Sequence, residues 1–480
     1  MVSSEKLTAT ARDQLSSIVG FDPSIERLAR AFAAASRELY LVGGPVRDAL
    51  LGRRHGDLDF STDAPPEETH EIVRPLATAM WLQGQRFGTI GVEIDGVRME
   101  ITTFRTENYA PSSRHPNVAY ASDVITDLSR RDFTVNALAV RVPDGELIDP
   151  FNGVSDLKGR VLRTPIDPSE SFTDDPLRML RAFRFAAELE FAVHEDVLRA
   201  IRKLKRQITT VSAERIRDEL SRLLVGAAPG TALDLAHNTG ITDFFLPELS
   251  ALRLEQDRVH KHKDVFAHTL AVVERTRPKL TLRLAALLHD IGKPKTRRIG
   301  PDGVSFHHHE IVGAQMAERR LKGLRYPNEV VTVVTELIRL HHRFHTYRLG
   351  WTDSAVRRYV RDAGPLLDDL NGLVRADCTT RNAALARELQ DRLDELQRRI
   401  AELAQKEELQ RLRPELDGHE VMKHLRLEPG PAVGEALRFL LEVRLEEGQI
   451  GKTEAYKRLD AWAAERGLEA RDDAGSAEPS

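Results

Sequence analysis

The sequence predicts an α+β protein in which a mixed sheet at the amino-terminal end is followed by helical domains. Short stretches of alternating polarity, separated by turn residues, fill the first 150 positions. Beyond Gly159 the apolar residues follow the 3.6-residue period of helices. The chain has 480 residues, more than one hydrophobic core normally serves, so we expect several packed domains.

The predicted elements begin with a helix over residues 24–40. The apolar run from Leu39 to Val42 ends in two glycines, as a strand would. Further strands are predicted at 88–94, 97–105, 137–142 and 147–149, with Asp-Gly turns between neighbours. Helical periodicity covers 168–226, histidines become dense between 243 and 381, and a charged helix over 386–412 leads to a polar tail that we expect to be disordered.

The composition excludes disordered, collagen-like and membrane proteins. Hydrophobic residues make up 41% and charged residues 30%, as in ordinary globular proteins. The sequence contains no run of about 18 apolar residues and no apolar signal-peptide core, so we expect a cytoplasmic protein that does not associate with a membrane. The single cysteine, Cys378, excludes an internal disulfide and a cysteine zinc cluster. Because the net charge is −4, any binding of nucleic acid must come from local basic surfaces.

Two aspartates after a glycine turn indicate a site for metal ions and phosphates. Gly43-Gly44 ends the first strand and precedes a helix, so backbone N–H groups can approach a phosphate there. Asp57 and Asp59 are two positions apart on an extended strand, so their carboxylates face the same side and can share Mg²⁺. Two such ions would align a hydroxyl with an α-phosphate for in-line transfer. Glu100 is the candidate for a third acid on the same sheet.

Four further blocks of sequence follow the glycine turn and the Asp-x-Asp pair. They are RRDFTVNA at 130–137, DPFNGVSDLKGR at 149–160, DDPLR at 174–178 and ERIRDEL at 214–220. In this order the five blocks resemble the nucleotidyltransferase family that contains the bacterial and eukaryotic (class II) CCA-adding enzymes and the bacterial poly(A) polymerases. One departure is Asp174, where the family more often has Glu. Five blocks in order are far more specific than one short motif.

This resemblance implies both a fold and an activity. The fold would be a polymerase-β-like nucleotidyltransferase head with a mixed sheet, followed by all-helical neck, HD and tail domains. The activity would be the template-independent transfer of CMP and AMP from CTP and ATP to the 3′ end of tRNA. Asp57 and Asp59 would hold Mg²⁺ and act in catalysis with Glu100. The residues implied to bind the nucleotide are Gly44, Arg47, Arg131, Asp132, Asn136, Asp175, Arg178, Arg181 and Arg184.

Asp175 and Arg178 are the candidates for choosing the nucleotide. They lie three positions apart on a predicted helix, where side chains are neighbours. A carboxylate beside a guanidinium offers an acceptor and donors that match a base edge without a template. The resemblance implies that this pair reads the incoming C or A, with the 149–160 block switching its orientation.

A second constellation of histidines and aspartates lies between residues 268 and 377. His289-Asp290 follows an apolar helix, and His268 and Asp377 are far from it in sequence. Imidazole and carboxylate groups suit a divalent transition metal. The fragment LHDIGK at 288–293 resembles the HD phosphohydrolase superfamily. This resemblance implies that His268, His289, Asp290 and Asp377 bind a metal, with a secondary hydrolytic activity.

The predicted domains are a catalytic head at 1–160, a helical neck at 161–250, an HD domain at 251–385 and a helical tail at 386–480. The neck is expected to contact RNA through basic faces such as 199–206 and 215–222.

Three functions stay open at this level: CCA addition to tRNA, poly(A) addition to general RNA, and metal-dependent phosphohydrolysis with a front domain that only binds nucleotide. The intact Asp-x-Asp pair argues against the third. The acidic end of the chain favours tRNA over general RNA. Addition of CC alone or A alone is a variant of the first function, and the sequence predicts no oligomeric state.

Overall fold

The computed structural model describes residues 23–53, 58–82, 88–108, 117–121, 123–254, 264–301, 303–344, 351–378, 383–407 and 413–468. The chain divides into two compact units, of which the first runs to Arg253 and includes 320–326, and the second contains the rest. Within the described ranges, none of the helices combines the length and the hydropathy that crossing a membrane requires.

The first unit is built around a seven-stranded mixed sheet. Its strands are β1 Leu39–Val42, β2 Leu58–Thr62, β3 Ala79–Trp81, β4 Thr89–Ile94, β5 Val97–Thr103, β8 Ala139–Arg141 and β9 Leu147–Ile148, while β6 Arg105–Asn108 and β7 Asn117–Tyr120 form a separate ribbon. The order across the sheet is β3-β4-β5-β2-β1-β8-β9. Only the β2–β5 pair is parallel among these neighbours.

Eleven described helices accompany this sheet. They are α1 Pro23–Ala34, α2 Gly44–Leu50, α3 Pro66–Val73, α4 Val124–Ser129, α5 Gly153–Gly159, α6 Pro168–Asp174, α7 Arg178–Leu189, α8 Glu195–Leu204, α9 Ala213–Val225, α10 Pro229–Thr239 and α11 Pro247–Ser250. A short parallel pair, β10 Val161–Leu162 and β11 Ala192–Val193, lies among them.

Successive side chains along each strand point to opposite faces of the sheet. One face is covered by other elements and is called the closed face here, and the other, which is accessible, is called the open face. Leu58, Val92 and Met99 are buried on the closed face, against which α3 packs. The open face carries the polar residues between them, including Asp59 and Glu100. The sheet therefore presents its acidic side chains on the face that a substrate can reach.

A helical bundle continues the first unit. Helix α7 is buried along most of its length and packs on α9 and α10, while α6 packs on α8. A helix that is apolar on several sides needs several neighbours, which is why α7 lies at the centre of the bundle.

The second unit is mainly helical. Its helices are α12 Val265–Arg275, α13 Leu280–Leu288, α14 Lys293–Thr296, α15 His309–Gly323, α16 Asn328–Leu340, α17 Asp353–Ala363, α18 Leu367–Asp377, α19 Ala383–Glu407, α20 Gly418–Leu425, α21 Pro431–Glu447 and α22 Lys452–Glu465, and its hairpin is β12 Arg297–Gly300 with β13 Gly303–Phe306. Helix α13 is buried from Leu282 to Leu288 and contacts α12, α16 and α18. A separate apolar cluster near the end of the chain includes Leu416, Leu459 and Trp462.

The predicted α+β class is confirmed, and so is the strand at Leu39–Val42. The first helix ends at Ala34 and not at residue 40. The helix that we expected to include Asp175 begins at Arg178 because Pro176 precedes it and α6 has just ended. Strand β3 and the β12–β13 hairpin were not predicted, since three or four residues carry too little periodicity.

Candidate nucleotide-binding and metal sites

The turn between β1 and α2 brings the backbone close to an arginine. Gly43 has a φ of 74°, in the left-handed region that glycine adopts without strain. A Cβ atom at this position would lie 2.8 Å from Nη1 of Arg131. The Gly43 N–H donates to the Leu138 carbonyl oxygen at 3.0 Å, which fixes the turn. Any side chain at Gly43 would therefore displace the Arg131 guanidinium.

Asp59 and Glu100 lie side by side on the open face of the sheet. Parallel strands β2 and β5 pair these two residues directly, so their side chains project to the same side. Asp59 lines a cavity, whereas Glu100 is exposed beside it. Asp57, the other predicted metal ligand, lies outside the described residues. The structure thus places two of the three predicted acids together.

The cavity beside Asp59 has a volume of about 570 Å³ and lies wholly within the first unit. All nine residues that the resemblance implies for nucleotide binding line it. The complete lining is Gly43, Gly44, Arg47, Asp59, Arg105, Arg130, Arg131, Asp132, Asn136, Asp175, Arg178, Arg181, Arg184, Phe185, Arg215 and Arg222. Nine arginines against three aspartates make the cavity strongly positive, as a triphosphate requires.

Five lining residues were missed as nucleotide contacts: Arg105, Arg130, Phe185, Arg215 and Arg222. Arg130 and Arg215 lie within the motif blocks at 130–137 and 214–220, so their place in these blocks could have identified them. Arg215 and Arg222, which were expected on an RNA-contacting face, both line the cavity.

A chain of hydrogen bonds and ion pairs connects the arginines of α7 with the turn after β1. Arg184 Nε donates to Glu219 Oε2 at 2.6 Å, and Arg181 Nη1 lies 3.5 Å from Glu219 Oε1. Arg181 Nε also donates to Asp132 Oδ2 at 2.7 Å. Asn136 Nδ2 donates to Asp132 Oδ1 at 2.9 Å, and Asn136 Oδ1 accepts from Arg47 Nη1 at 2.7 Å.

These contacts set the charge of the buried Asp132 carboxylate. Burial alone would raise its pKa, but the charge of Arg181 and the hydrogen bond from Asn136 lower it to about 2. Asp132 is therefore ionised at neutral pH and holds Arg181 in place.

The predicted base-reading pair lines the cavity, but each member has its own partner. Asp175 Oδ2 accepts from Arg215 Nη2 at 2.8 Å and Oδ1 accepts from the Leu177 N–H at 3.1 Å. Arg178 Nη1 donates to the Ser171 hydroxyl at 2.9 Å. Because a carboxylate oxygen has two lone pairs and a guanidinium has five N–H groups, both side chains retain capacity for a ligand.

A buried carboxylate that the sequence did not single out supports two of the arginines. Asp127 is fully buried, and its Oδ1 accepts from Arg130 Nη2 at 2.8 Å. Its Oδ2 accepts from Arg131 Nη2 at 3.3 Å and from the Ser61 hydroxyl at 3.1 Å. The two arginine charges lower the pKa of Asp127 against the opposing effect of burial.

The second unit brings the four predicted HD residues together. His268 Nε2 lies 2.8 Å from Asp377 Oδ1 and 3.8 Å from Asp290 Oδ2. His289 Nε2 lies 3.2 Å from Asp290 Oδ2 and 3.6 Å from Asp377 Oδ1. His268 is on α12, His289-Asp290 follows α13, and Asp377 ends α18. Side chains on or directly after three helices thus form one cluster.

Two further histidines extend this cluster. His309 Nε2 lies 3.5 Å from Asp290 Oδ1 and 3.4 Å from His341 Nε2. The possible ligand atoms form one triad of His268, His289 and Asp377 and a second of Asp290, His309 and His341. The sequence held a signal for His341, because it follows an apolar helix as His289 does.

The donor atoms of this cluster fit a metal. Nδ1 of His289, His309 and His341 lies 2.8, 2.9 and 2.6 Å from the carbonyl oxygen three residues earlier, so each Nδ1–H donates to it and Nε2 is the nitrogen that can bind a metal. Among the described residues, His289 Nε2 and Asp290 Oδ1 are buried with no hydrogen-bond partner. A cation would satisfy both atoms.

The histidine pKa values agree with this fit. Burial lowers the pKa of His341 to about 3, which leaves its imidazole neutral and able to bind a metal. Burial also disfavours the charged form of His289, but the carboxylates of Asp290 and Asp377 outweigh it and raise the pKa to about 10. A proton on His289 neutralises the same negative charge of Asp290 and Asp377 that a bound metal ion would neutralise.

Three segments of the chain match models of known families. Residues 39–163 match the poly A polymerase head domain, residues 190–252 match the probable RNA and SrmB-binding site of polymerase A, and residues 265–382 match the HD domain.

Similarity to individual proteins extends along most of the chain. The A-adding tRNA nucleotidyltransferase of Deinococcus radiodurans is 34% identical over 439 residues, which cover 88% of this chain and 95% of that protein. The CC-adding tRNA nucleotidyltransferase of Thermus thermophilus is 35% identical over 448 residues, covering 90% and 96%. The CCA-adding enzyme of Bacillus licheniformis is 40% identical over 223 residues, covering 46% and 54%.

Solved structures share the fold. The CCA-adding enzyme of Bacillus stearothermophilus in complex with CTP superposes with a TM-score of 0.66 at 24% identity, covering 93% of this chain and 99% of that one. The Thermotoga maritima enzyme complexed with tRNA gives a TM-score of 0.60 at 19% identity, covering 94% and 98%. With relatives above 30% identity aligned along nearly their whole length, the chain belongs to the tRNA nucleotidyltransferase family and combines a poly A polymerase head domain with an HD domain.

Proposed function

We propose that this protein adds C, C and A to the 3′ end of tRNA, using CTP and ATP and no nucleic-acid template. The observation that carries the proposal is the single cavity in which nine arginines, Asp59 and the Asp175–Arg178 pair meet. The guanidiniums suit a triphosphate, Asp59 suits a hard cation, and the pair suits the edge of a base.

The proposed reaction joins the 3′-hydroxyl oxygen of the RNA to the α-phosphorus of the nucleotide. The bond from this phosphorus to the bridging oxygen breaks, pyrophosphate leaves, and the hydroxyl proton passes to solvent. Asp57 and Asp59 would hold Mg²⁺, and Glu100 lies beside Asp59 on the neighbouring strand. When bound, the ion stabilises the negative charge that develops at the α-phosphate.

The remaining residues would position the nucleotide. Gly44, Arg47 and Arg131 would hold the phosphates, because the glycine turn and both guanidiniums line the same wall of the cavity. Arg181 and Arg184 add positive charge from α7, and Asp132 with Asn136 would shape the sugar pocket. Asp175 and Arg178 would read the base.

Incubation with a tRNA transcript that ends at its discriminator base tests this function. With Mg²⁺, CTP alone should add two residues, and CTP with ATP should add three and then stop, as read on a sequencing gel. An Asp59→Asn variant is the control and should add none.

Other products would indicate a related activity instead. A long A ladder on any RNA would indicate a poly(A) polymerase. Addition of CC alone or A alone would indicate a partial enzyme, as in the relatives named CC-adding and A-adding. No extension would contradict nucleotide addition itself.

We also propose a second, hydrolytic activity at the HD cluster, carried by the two ligand triads that meet at Asp290. His268, His289, Asp290 and Asp377 would hold a divalent transition metal, and His309 and His341 could hold another beside it. A bound metal supplies Lewis acidity and a nucleophilic water for a phosphate ester.

Metal analysis and phosphatase and phosphodiesterase assays test this activity. A double variant, His289→Ala with Asp290→Ala, should lose the metal and the hydrolysis but keep nucleotide addition. The Asp59→Asn variant should do the reverse. Equal hydrolysis by the double variant and the wild type would contradict the proposal.

We propose the domain boundaries of the sequence prediction, with the head at 1–160, the neck at 161–250, the HD domain at 251–385 and the tail at 386–480. The proposed place of action is the cytoplasm, where CTP, ATP and tRNA are available together.

A further inference from the structure

A single row of paired residues crosses the open face of the sheet. Strands β3 and β4 pair Trp81 with Gly91, and β4 and β5 pair Gly91 with Glu100. Strands β5 and β2 pair Glu100 with Asp59. Directly paired residues project to the same face, so the Trp81 side chain lies on the face that carries the carboxylates.

Trp81 is unusually open to solvent for a tryptophan, with 41% of its surface exposed. Its indole lies against the backbone of β4, since a Cβ atom at Gly91 would be 3.2 Å from Trp81 Cε3. The Arg98 guanidinium is 5.6 Å from the centre of the ring. Arg98 is two residues before Glu100 on β5, so it shares the same face. Arg98 Nε also lies 3.6 Å from Glu93 Oε2, so a flat aromatic surface with an adjacent ion pair lies on the face that carries the acids.

The order of the strands fixes the side from which an RNA end must approach. The glycine turn and Arg47 follow β1, which neighbours β2 on the side away from β5. In-line transfer places the attacking oxygen opposite the leaving pyrophosphate. With the triphosphate on the β1 side of Asp59, in-line transfer favours an approach of the hydroxyl from the side of β5 and β4. Strand β3, which carries Trp81, is two strand spacings from β5, about 10 Å.

We propose that Trp81 is a binding residue for the RNA substrate, on which the 3′-terminal base stacks, and that Arg98 contacts the adjacent phosphate. This inference rests on the proposed nucleotide addition. Stacking on an aromatic ring tolerates any base because every base has a π-face. Such tolerance is needed here, since the terminal base changes with each nucleotide added.

Steady-state kinetics of Trp81→Ala and Trp81→Phe test the proposal, with the tRNA transcript and CTP varied in turn. Trp81→Ala should raise the KM for tRNA on the order of tenfold, because loss of one base–aromatic stack costs about that much affinity. The KM for CTP should not change, and Trp81→Phe should keep most of the affinity for tRNA. Leu82→Ala is the matched control, since Leu82 is the next residue and is 43% exposed, and it should behave as the wild type.

Fluorescence gives a readout that does not depend on the alanine variant being stable. Titration with tRNA in the absence of CTP should quench the emission of the wild type and leave Trp81→Phe with a clearly smaller change. An unchanged KM for tRNA in Trp81→Ala, or equal quenching in both proteins, would overturn the role of Trp81 while nucleotide addition by the wild type stands. A wild type that extends no tRNA would instead refute the proposed function.

Discussion

At the residue scale, the nucleotide cavity is held in shape by buried carboxylates. Nine guanidiniums in one cavity repel each other, and this repulsion grows as water is excluded. Asp127, Asp132 and Glu219 are each at most 7% exposed and bind these arginines at hydrogen-bonding distance. They offset the repulsion and fix the direction of each donor before a ligand arrives, which is the arrangement that favours transition-state stabilisation.

Glu219→Gln should lower both stability and nucleotide affinity. Glu219 bridges Arg181 and Arg184. Loss of its charge leaves Asp132 as the acidic partner of Arg181 and the partly exposed Glu188 as that of Arg184. We expect a loss of about 2 kcal/mol in the free energy of unfolding, because a buried hydrogen bond to a charged group is weakened. The KM values for CTP and ATP should rise together. Denaturant unfolding and initial rates measure the two effects.

Glu188→Gln is the matched control for this substitution. Glu188 also accepts from Arg184, at 2.8 Å, but its side chain is 30% exposed and contacts only one of the two arginines. Its loss should cost less than about 1 kcal/mol. Equal losses from the two variants would show that the bridge over Arg181 and Arg184 has no special role.

At the element scale, the β1–α2 turn and the paired strands β2 and β5 together define the transferase site. The turn places the backbone of Gly43 against Arg131, and the strand pair places Asp59 against Glu100. Neither contact depends on helix or strand propensity. Both follow from how the elements are joined and paired.

Gly43→Ala should disturb the nucleotide site more than it disturbs folding. The new Cβ would meet Arg131 Nη1 at 2.8 Å and the residue would keep a φ of 74°. We expect an unfolding cost on the order of 1–2 kcal/mol from the backbone alone. The Kd for CTP should also rise, because the guanidinium must move. Binding of CTP by calorimetry and thermal unfolding measure the two effects.

Gly145→Ala separates the backbone strain from the clash. Gly145 has a φ of 72°, and a Cβ atom there would meet no atom within 4 Å. This variant should lose similar stability and keep the affinity for CTP. If Gly145→Ala weakened CTP binding as much as Gly43→Ala, contact with Arg131 would not be the cause.

At the scale of the whole molecule, the net charge conceals where the positive charge lies. The chain carries −4 overall, yet one cavity collects nine arginines. Helix α8 adds exposed cations on a second surface, including Arg202, Lys203 and the following Arg206. Attraction of an RNA backbone therefore depends on local basic surfaces and not on the net charge of the chain.

Replacing Arg202, Lys203 and Arg206 by Gln should weaken the salt dependence of tRNA binding. Each phosphate contact contributes about 0.7–0.9 to the slope of log affinity against log salt concentration. Loss of three contacts should flatten the slope by about 2. Filter binding or anisotropy at several salt concentrations gives this number.

A control triple variant carries Gln at Arg27, Arg30 and Arg74. These exposed cations lie on α1 and after α3, which packs on the closed face of the sheet. Their removal changes the net charge by the same amount and should leave the slope unchanged. A slope that flattens equally in both variants would mean that α8 makes no specific contact with tRNA.

The order of most elements and most of the candidate site could be predicted from local features of the sequence. A strand that alternates, a glycine turn and an Asp-x-Asp pair are local features, and their geometry follows from a few neighbouring residues. The nine residues that the resemblance named for nucleotide binding line one cavity and the four HD residues meet in one cluster, although both sets are spread widely along the chain. Their functional roles remain predictions. Asp57 lies outside the described residues.

The partner of each of these side chains could not be predicted from local sequence and follows from tertiary packing. Glu219 meets Arg184 across 35 positions, Arg215 meets Asp175 across 40, and His309 approaches His341 across 32. Trp81 joins the row of acids through strand register alone. Such contacts depend on how helices pack and strands align, and periodicity within a segment carries no information about the segment that will lie against it.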